Sequence, residues 1–249
     1  CALPTELTRQ VEIFKKKIFA VKIHSIRQMN ESVIEVQLRF PPNSKFKYNA
    51  GQYVNIIKGE LKRSYSIANN FKENGVLTFY IKRYEKGFMS KYWFDEAKEN
   101  DLLRVEGPLG SFFLRETEME NIVFIATGTG IAPINAMLEA IAESSSKFLN
   151  KNIWIFVGAR FEKDLFWNIN MFHSIPNLRF IPVLSRSSES WNGEKGYVQD
   201  VVSKHNIPLS NTQVYACGSN MMIEAAKAFF VNKGLDKRNF LSDAFVATN

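Results

Sequence analysis

A short polar segment, KRSYSIANN at residues 62–70, lies where the surrounding pattern is that of a β-strand. It places the cation of Arg63 beside the hydroxyl groups of Ser64, Tyr65 and Ser66. A guanidinium group can bind phosphate through two hydrogen bonds, an aromatic ring offers a flat face, and a serine hydroxyl can bond a ring nitrogen. The segment therefore predicts a site for a planar cofactor that carries phosphate. For Tyr65 alone, a half-buried strand residue is the simpler interpretation.

A second candidate for anion binding is GFMS at residues 87–90. We expect a short helix over MSKYWFDEA with Ser90 at its start. Backbone N–H groups at the start of a helix can hold a phosphate. Arg63 and Ser90 are therefore the two anion-binding candidates of the first half of the chain.

A glycine-rich segment, ATGTGIAP at residues 126–133, follows an apolar strand-like run and precedes a helical pattern. In this setting Gly128 and Gly130 allow backbone N–H groups to approach a pyrophosphate at the positive end of a helix. Pro133 stands where the standard dinucleotide fingerprint has glycine or alanine, so the motif is a variant. The alternative is a tight turn without a ligand.

Two further predicted strands end in residues that suit a ligand. Ser185 and Arg186 follow one apolar run, and an arginine there could bind an adenosine 2′-phosphate; an exposed arginine without contacts is the alternative. Cys217 and Gly218 end another run, VYACGS, where a small buried cysteine is the simpler interpretation. The carboxyl ends of parallel strands meet at one edge, so we expect these residues in one crevice.

The elements that position these residues differ between the two halves. Six strand-like segments with turns between them predict a six-stranded antiparallel β-barrel over residues 15–115. From residue 116 to 249, apolar runs alternate with helical spacing, which predicts an α/β domain around a parallel sheet. We place the domain boundary near the polar stretch LRETEMEN, which begins at Leu114.

The composition excludes several classes of protein. The chain has 249 residues, 45% hydrophobic and 23% charged, which is typical of a folded globular protein. No apolar run approaches the roughly 18 residues of a membrane span, and the net charge of +7 comes from dispersed residues, unlike a nucleic-acid-binding arm. Two cysteines and three histidines offer no metal-ligand spacing. We expect a cytoplasmic, monomeric protein without a metal site.

Six motifs occur in a familiar order: RSYS, GFMS, GPLGSF, GTGIAP, YACGS and SDAF. Together they resemble the ferredoxin-NADP reductase superfamily, and within it the reductase components that serve oxygenases or deoxysugar dehydrases, such as the CDP-6-deoxy-Δ3,4-glucoseen reductases. The resemblance implies an FAD enzyme that takes hydride from NADH or NADPH at the flavin N5 atom and releases single electrons to an iron–sulfur carrier.

The resemblance also implies residue roles. Arg63 would bind the flavin pyrophosphate, Tyr65 would pack against the flavin and Ser66 would bond its N5 atom. The implied FAD contacts are Arg63, Ser64, Tyr65, Ser66, Lys82, Gly87, Phe88, Met89, Ser90, Thr129 and Phe245. The implied contacts of NADH or NADPH are Gly128, Thr129, Gly130, Pro133, Arg160, Ser185, Arg186, Cys217 and Gly218. The implied catalytic residues are Ser66, Cys217, Asp243 and Phe245.

Several points stay open at this stage. Ser185 and Arg186, with Lys195 and Tyr197, are similar to the 2′-phosphate site of NADPH-using relatives, whereas WNGEKGYVQD is similar to NADH-using ones; we favour NADH. No Cys-x4-Cys-x2-Cys run is present, so we expect the two-iron, two-sulfur cluster in an upstream ferredoxin domain, with residues 1–14 as its tail or linker. The alternatives are a free-flavin reductase and a non-catalytic nucleotide-binding module that regulates or docks to a partner.

Overall fold

The computed structural model describes residues 12–245. Residues 1–11, most of the predicted linker, lie outside the described residues. Within residues 12–245, no helix combines the length and apolarity needed to cross a membrane.

The first six strands form an antiparallel sheet in the order β4-β3-β6-β1-β2-β5. Their inward side chains alternate with outward ones; in β2, for example, Val36 and Leu38 are fully buried. The Ala68 N–H donates to the Thr78 carbonyl at 2.7 Å, which draws the chain after β4 towards β5 and curls the sheet into a half-barrel. The strands are β1 Lys17–Asn30, β2 Val33–Arg39, β3 Tyr53–Lys58, β4 Leu61–Ser66, β5 Val76–Lys82 and β6 Leu102–Leu109.

One short helical segment belongs to this half. Helix α1, Phe88–Lys91, continues into a π-helical turn at Tyr92–Glu96. Met89, Tyr92 and Trp93 of this segment pack into the apolar core of the barrel. The segment is thereby fixed beside β4, which it also contacts.

The second sheet has six parallel strands in the order β10-β9-β8-β7-β11-β12. The central strands are buried on both faces, as their continuous apolar sequences predict. The strands are β7 Asn121–Thr127, β8 Asn152–Ala159, β9 Leu178–Leu184, β10 Glu194–Lys195, β11 Thr212–Ser219 and β12 Phe240–Phe245.

Helices cover both faces of this sheet. Helix α2 packs in one apolar cluster, and α4 and α5 pack in a second cluster on the other face. The helices are α2 Ile131–Glu143, α3 Ser145–Phe148, α4 Val198–Val202 and α5 Asn220–Asn232. Short 3-10 turns lie at Gly128–Gly130, Glu162–Asp164, Asn170–Phe172, Ser203–His205, Leu209–Asn211 and Lys237–Asn239.

The predicted fold class is confirmed: an antiparallel half-barrel sheet precedes an α/β unit with a parallel sheet. The domain limits at residues 15–115 and 116–249 stay a prediction. Strands β10 and β12 and helix α4 were not predicted, because their sequences are short or rich in polar residues.

Candidate functional site

The order of strands in the parallel sheet reverses between β7 and β11. Ligands of open parallel sheets bind at such a switch point, beside the carboxyl ends of the strands. Here β7 ends at Thr127 and leads into the turn Gly128–Gly130, and β11 ends at Ser219. The segment predicted to bind a pyrophosphate therefore lies where ligands of such sheets bind.

The ends of β7 and β11 pack so closely that both sides require glycine. A Cβ atom on Gly130 would collide with the Cys217 carbonyl group, whose carbon would be 2.6 Å away. Gly218 has a φ of +147°, and a Cβ atom there would collide with Thr127 Oγ1. Thr127 Oγ1 also accepts a hydrogen bond of 3.3 Å from the Ser219 N–H. The turn and the end of β11 thus form one closely packed edge.

The turn is open on its other side, at Gly128. This residue has a φ of +55° and is only partly buried. Apart from Gly128 and its two chain neighbours, no described residue has an atom within 4 Å of the position that its Cβ atom would take. The turn leads directly into α2, whose first N–H groups form the positive end of the helix dipole. Open access and backbone donors together fit a pyrophosphate.

Strand β4 presents its polar side chains on two faces. Arg63 and Tyr65 share one face, and Ser64 and Ser66 share the other, because side chains alternate along a strand. The Tyr65 hydroxyl accepts a hydrogen bond of 3.1 Å from Trp93 Nε1, and the two rings pack edge to face. Burial raises the pKa of Tyr65 to about 12, so the phenol is neutral. Its ring is held in one orientation, as a flavin-packing residue requires.

The two serines of β4 have different surroundings. Ser64 Oγ donates to Asn55 Oδ1 at 2.7 Å, and Asn55 Nδ2 donates to Glu106 Oε2 at 2.7 Å. Hydrogen bonds, first from Lys62, lower the pKa of Glu106 to about 2. The Ser66 hydroxyl, in a residue with 7% exposure, has no hydrogen-bond partner within residues 12–245. Ser66 is therefore available to a ligand, whereas Asn55 holds the Ser64 hydroxyl.

A contact between the two halves brings Ser66 near the glycine-rich turn. Asn135 of α2 donates from Nδ2 to the Ala68 carbonyl at 2.6 Å. Ala68 is two residues beyond Ser66, a distance of at most about 7 Å, and Asn135 is four residues into α2, about 6 Å from its start. The turn Gly128–Gly130 also lies against β5 of the barrel. The structure thus brings the two predicted binding segments together.

The GFMS segment differs from its prediction. Helix α1 begins at Phe88, so the prediction that Ser90 begins it is wrong. Ser90 is buried, and its Oγ accepts a hydrogen bond of 2.7 Å from the Tyr84 N–H, which holds the turn before α1. Met89 lies in the barrel core, whereas Phe88 and Lys82 are exposed. The backbone around Gly87 and Ser90 stays the predicted phosphate contact of this segment, and Lys82 stays a predicted contact of FAD.

The third predicted group lies at the ends of β11 and β12. Their register places Cys217 opposite Asp243 and Ser219 opposite Phe245. Burial, and then the charge of Asp243, raise the pKa of the fully buried Cys217 thiol, so it is protonated at neutral pH and is a poor nucleophile. Phe245 is half-buried against the apolar cluster that includes Cys217. The structure brings these predicted residues together, and the buried Cys217 thiol belongs to the apolar cluster against which Phe245 packs.

Asp243 gives a pH-dependent prediction. Burial raises its pKa from 3.8 to about 6, so the folded chain binds the proton more tightly than the unfolded chain. Below about pH 4, Asp243 is therefore protonated in both states and lowers the free energy of unfolding little. The destabilisation grows as the pH rises to about 6 and is complete above that pH. After allowance for partial exposure, we expect Asp243→Asn to stabilise the flavin-free chain by about 1–2 kcal/mol at pH 7.5.

Urea unfolding of the wild type and of Asp243→Asn at pH 4 and at pH 7.5 measures this difference. We expect the stabilisation at pH 7.5 and little of it at pH 4. A stabilisation of equal size at both pH values would contradict a raised pKa.

The predicted nucleotide-selecting residues also share one edge. The Ser185 N–H donates to the Ala159 carbonyl at 3.0 Å, and the Arg186 N–H donates to the Arg160 carbonyl at 2.9 Å. The ends of β8 and β9 are thereby held side by side, with the Arg160 and Arg186 side chains exposed. Lys195 lies on the neighbouring β10. Arg160, Arg186 and Lys195 thus lie on or directly after three neighbouring strands, and a contact of Arg186 with an adenosine 2′-phosphate stays a prediction.

Sequence reasoning missed the residues that join the two halves. Asn135 is 2% exposed and accepts at Oδ1 a hydrogen bond of 2.8 Å from Trp167 Nε1. Glu139 accepts a hydrogen bond of 3.1 Å from the Asn70 N–H. The only local signal is a polar residue, Asn135, within an otherwise apolar run of α2.

Comparisons with known proteins find relatives of both halves of the chain. The family described as "Oxidoreductase FAD-binding domain" matches residues 20–114, and "Oxidoreductase NAD-binding domain" matches residues 124–228. The CDP-6-deoxy-L-threo-D-glycero-4-hexulose-3-dehydrase reductase of Yersinia pestis is 39% identical over 233 residues, which are 93% of this chain and 70% of that protein. The anthranilate 1,2-dioxygenase electron transfer component of Acinetobacter baylyi is 32% identical over 75% of this chain and 54% of that protein.

A solved structure shows the same fold. The ferredoxin reductase in carbazole 1,9a-dioxygenase superposes with a TM-score of 0.85 and 23% identity, covering 95% of this chain and 71% of that one. Relatives therefore match both halves of the chain in sequence, and a solved reductase matches both halves in fold. The chain belongs to the ferredoxin reductase-like oxidoreductases, with an FAD-binding domain followed by an NAD-binding domain.

Proposed function

We propose that this chain oxidises NADH or NADPH, with FAD as its resident cofactor, and passes the electrons one at a time to an iron–sulfur domain or protein. The observation that carries the proposal is the approach of Ser66 to the Gly128–Gly130 turn, made by the contact between Asn135 and Ala68. Hydride transfer requires donor and acceptor rings in contact, and this approach supports such an arrangement. We place the activity in the cytoplasm, with the chain as a monomer.

Bound FAD would accept two electrons together and release them one at a time, which is chemistry that side chains do not provide. The protein would bind the FAD and align the nicotinamide with it. Arg63 and the GFMS backbone would bind the phosphate groups of FAD, Tyr65 would support the flavin ring, and the Ser66 hydroxyl would donate a hydrogen bond to a ring nitrogen. Cys217, as a neutral thiol, excludes water from the nicotinamide side.

The relatives support one class of partner over another. The relative named for a CDP-6-deoxyhexulose dehydrase is 39% identical over 93% of the chain, whereas the one named for anthranilate dioxygenase is 32% identical over 75%. We therefore propose a deoxyhexulose dehydrase as the final electron acceptor, with an aromatic-ring oxygenase as the second candidate. Coupled NADH oxidation with each purified acceptor and a two-iron ferredoxin distinguishes them.

The experiment that tests the function is the visible spectrum of the purified chain under anaerobic conditions, before and after NADH or NADPH is added. We expect a flavin spectrum that NADH bleaches faster than NADPH, although the cations at Arg160, Arg186 and Lys195 would support some use of NADPH. A colourless chain that stays colourless after incubation with FAD would contradict the proposal.

The same preparation separates the alternatives. Loss of the yellow colour on dialysis, with NADH-dependent reduction of added flavin, indicates a free-flavin reductase. Bound nucleotide without NADH oxidation by any artificial acceptor indicates a non-catalytic module.

A further inference from the structure

Three polar residues on α2 form a stripe along one face of the helix. Asn135, Glu139 and Glu143 are spaced four residues apart, so their side chains lie above one another. All three bind the barrel segment that follows β4, at residues 68–70. Asn135 donates to the Ala68 carbonyl at 2.6 Å, Glu139 accepts from the Asn70 N–H at 3.1 Å, and Glu143 accepts from Asn70 Nδ2 at 2.6 Å. We call this set of contacts the α2 clamp.

Asn135 is the buried centre of the clamp. Its Nδ2 donates to both the Ala68 carbonyl and Glu139 Oε1, the latter at 3.2 Å, and its Oδ1 accepts from Trp167 Nε1 at 2.8 Å. Ala68 is also fixed from the barrel side, where its N–H bonds the Thr78 carbonyl. One amide side chain therefore joins the barrel, α2 and the loop after β8. An apolar replacement would leave two buried partners without a hydrogen bond.

A polar cleft of about 310 Å³ borders the clamp, and Ala68, Lys72, Asn135 and Glu139 are among its lining residues. Lys72 Nζ lies 3.4 Å from Glu139 Oε2 at the same cleft. Hydrogen bonds thus connect α2 to residues 68–70 here, while apolar contacts such as that of Tyr80 with Phe166 also join the two halves.

The clamp connects the two halves of the proposed reaction site. Helix α2 begins at the Gly128–Gly130 turn, the predicted nucleotide site. The clamped segment begins two residues after Ser66, the predicted contact of the flavin. A change in the length or angle of the clamp therefore changes the separation between the two sites, although no clamp residue lies in either.

We propose that Asn135 is a positioning residue that sets the alignment of the nicotinamide against the flavin, an inference that rests on the proposed function. Hydride transfer depends steeply on alignment, since a misplacement of 1 Å from a distant change can cost about 100-fold in rate. Asn135→Leu has a similar volume and removes every hydrogen bond of the amide. We expect it to lower the limiting rate of flavin reduction about tenfold, while the Kd of NADH, read from the concentration dependence of the rate, changes less than twofold.

Asn121→Leu is the matched control. Asn121 is also buried, at 4% exposure, and donates a side-chain hydrogen bond of 3.2 Å to the Asn211 carbonyl. It lies at the start of β7, the edge of the sheet opposite the glycine-rich turn. Its replacement should lower thermal stability and leave the reduction rate within twofold of the wild type.

Two measurements on the full chain test the proposal: anaerobic stopped-flow reduction by NADH, and hydrogen exchange of the flavin-free chain. We expect Asn135→Leu to speed exchange at the amides of residues 67–70 at least tenfold, and Asn121→Leu to leave them unchanged. Unchanged exchange in Asn135→Leu means that the clamp does not form, and faster exchange with a wild-type rate means that it does not position the site. Equal rate losses in the two variants indicate general destabilisation and also overturn the proposal.

A wild-type chain that binds FAD but is reduced by neither NADH nor NADPH overturns the proposed function and, with it, the positioning role. The exchange measurement needs no cofactor, so it still decides whether the clamp exists. The two failures are therefore distinguishable.

Discussion

Gly130→Ala is expected to lower NADH-driven flavin reduction at least 100-fold and the free energy of unfolding by about 2–3 kcal/mol. The backbone of Gly130, with φ −59° and ψ −13°, suits alanine, so the effect is purely steric. The added Cβ atom would meet the carbonyl group of Cys217 and, at 2.9 Å, the backbone nitrogen of Gly218. Neither can rotate away as a side chain could. The start of α2 must therefore separate from the end of β11, and the predicted nucleotide site widens.

Gly128→Ala, two residues earlier in the same turn, is the control for stability. Apart from its own chain neighbours, its Cβ atom would meet no described atom within 4 Å, and only its φ of +55° opposes alanine, at a cost of about 1–2 kcal/mol. Thermal unfolding and reduction by NADH are measured for both variants, with dithionite as a reductant that needs no nucleotide site. Dithionite should bleach the bound flavin of both. Wild-type reduction by NADH in Gly130→Ala would contradict the close packing of this edge.

Elements with regular apolar patterns were predictable from the sequence. Strand β8 was predicted at its observed bounds, because NIWIFVGA is a continuous apolar run that ends at a polar residue. Strand β12, with the sequence FLSDAF, was missed because its serine and aspartate resemble a loop. Its strand conformation comes from pairing with β11, a contact between residues distant in sequence.

The error at Ser90 has a similar cause, and so does a hydrogen bond of Ser64 that was not predicted. Serine is a favoured first residue of helices, but the N-cap position before α1 is Gly87, and Ser90 Oγ already accepts the Tyr84 N–H. The Ser64 hydroxyl donates to Asn55 on the neighbouring strand, a bond that the motif did not indicate, and its contact with FAD stays a prediction. In each case a partner outside the local pattern decides where the side chain points. Motif order identifies the family, but it does not distinguish ligand-facing hydroxyls from those used within the protein.

The assignment of ligand-facing and structural hydroxyls can be tested on one strand. Ser66→Ala removes a hydroxyl that has no partner within residues 12–245, so we expect the free energy of unfolding to change by less than about 0.5 kcal/mol. On the proposed function, the variant loses one hydrogen bond to the ring nitrogen where charge develops. Such a bond contributes about 1.5–3 kcal/mol, and the limiting rate of reduction by NADH should therefore fall about 10- to 100-fold.

Ser64→Ala, on the same face of β4, should show the reverse pattern. It removes the hydrogen bond of 2.7 Å to Asn55 Oδ1, so we expect a loss of about 1 kcal/mol in the free energy of unfolding and a rate within twofold of the wild type. Stopped-flow reduction by NADH and urea unfolding give the rate and the free energy of unfolding of each variant. A slow Ser64→Ala beside a wild-type rate in Ser66→Ala would place the flavin against the other serine. Two wild-type rates would mean that neither hydroxyl of β4 takes part in flavin reduction.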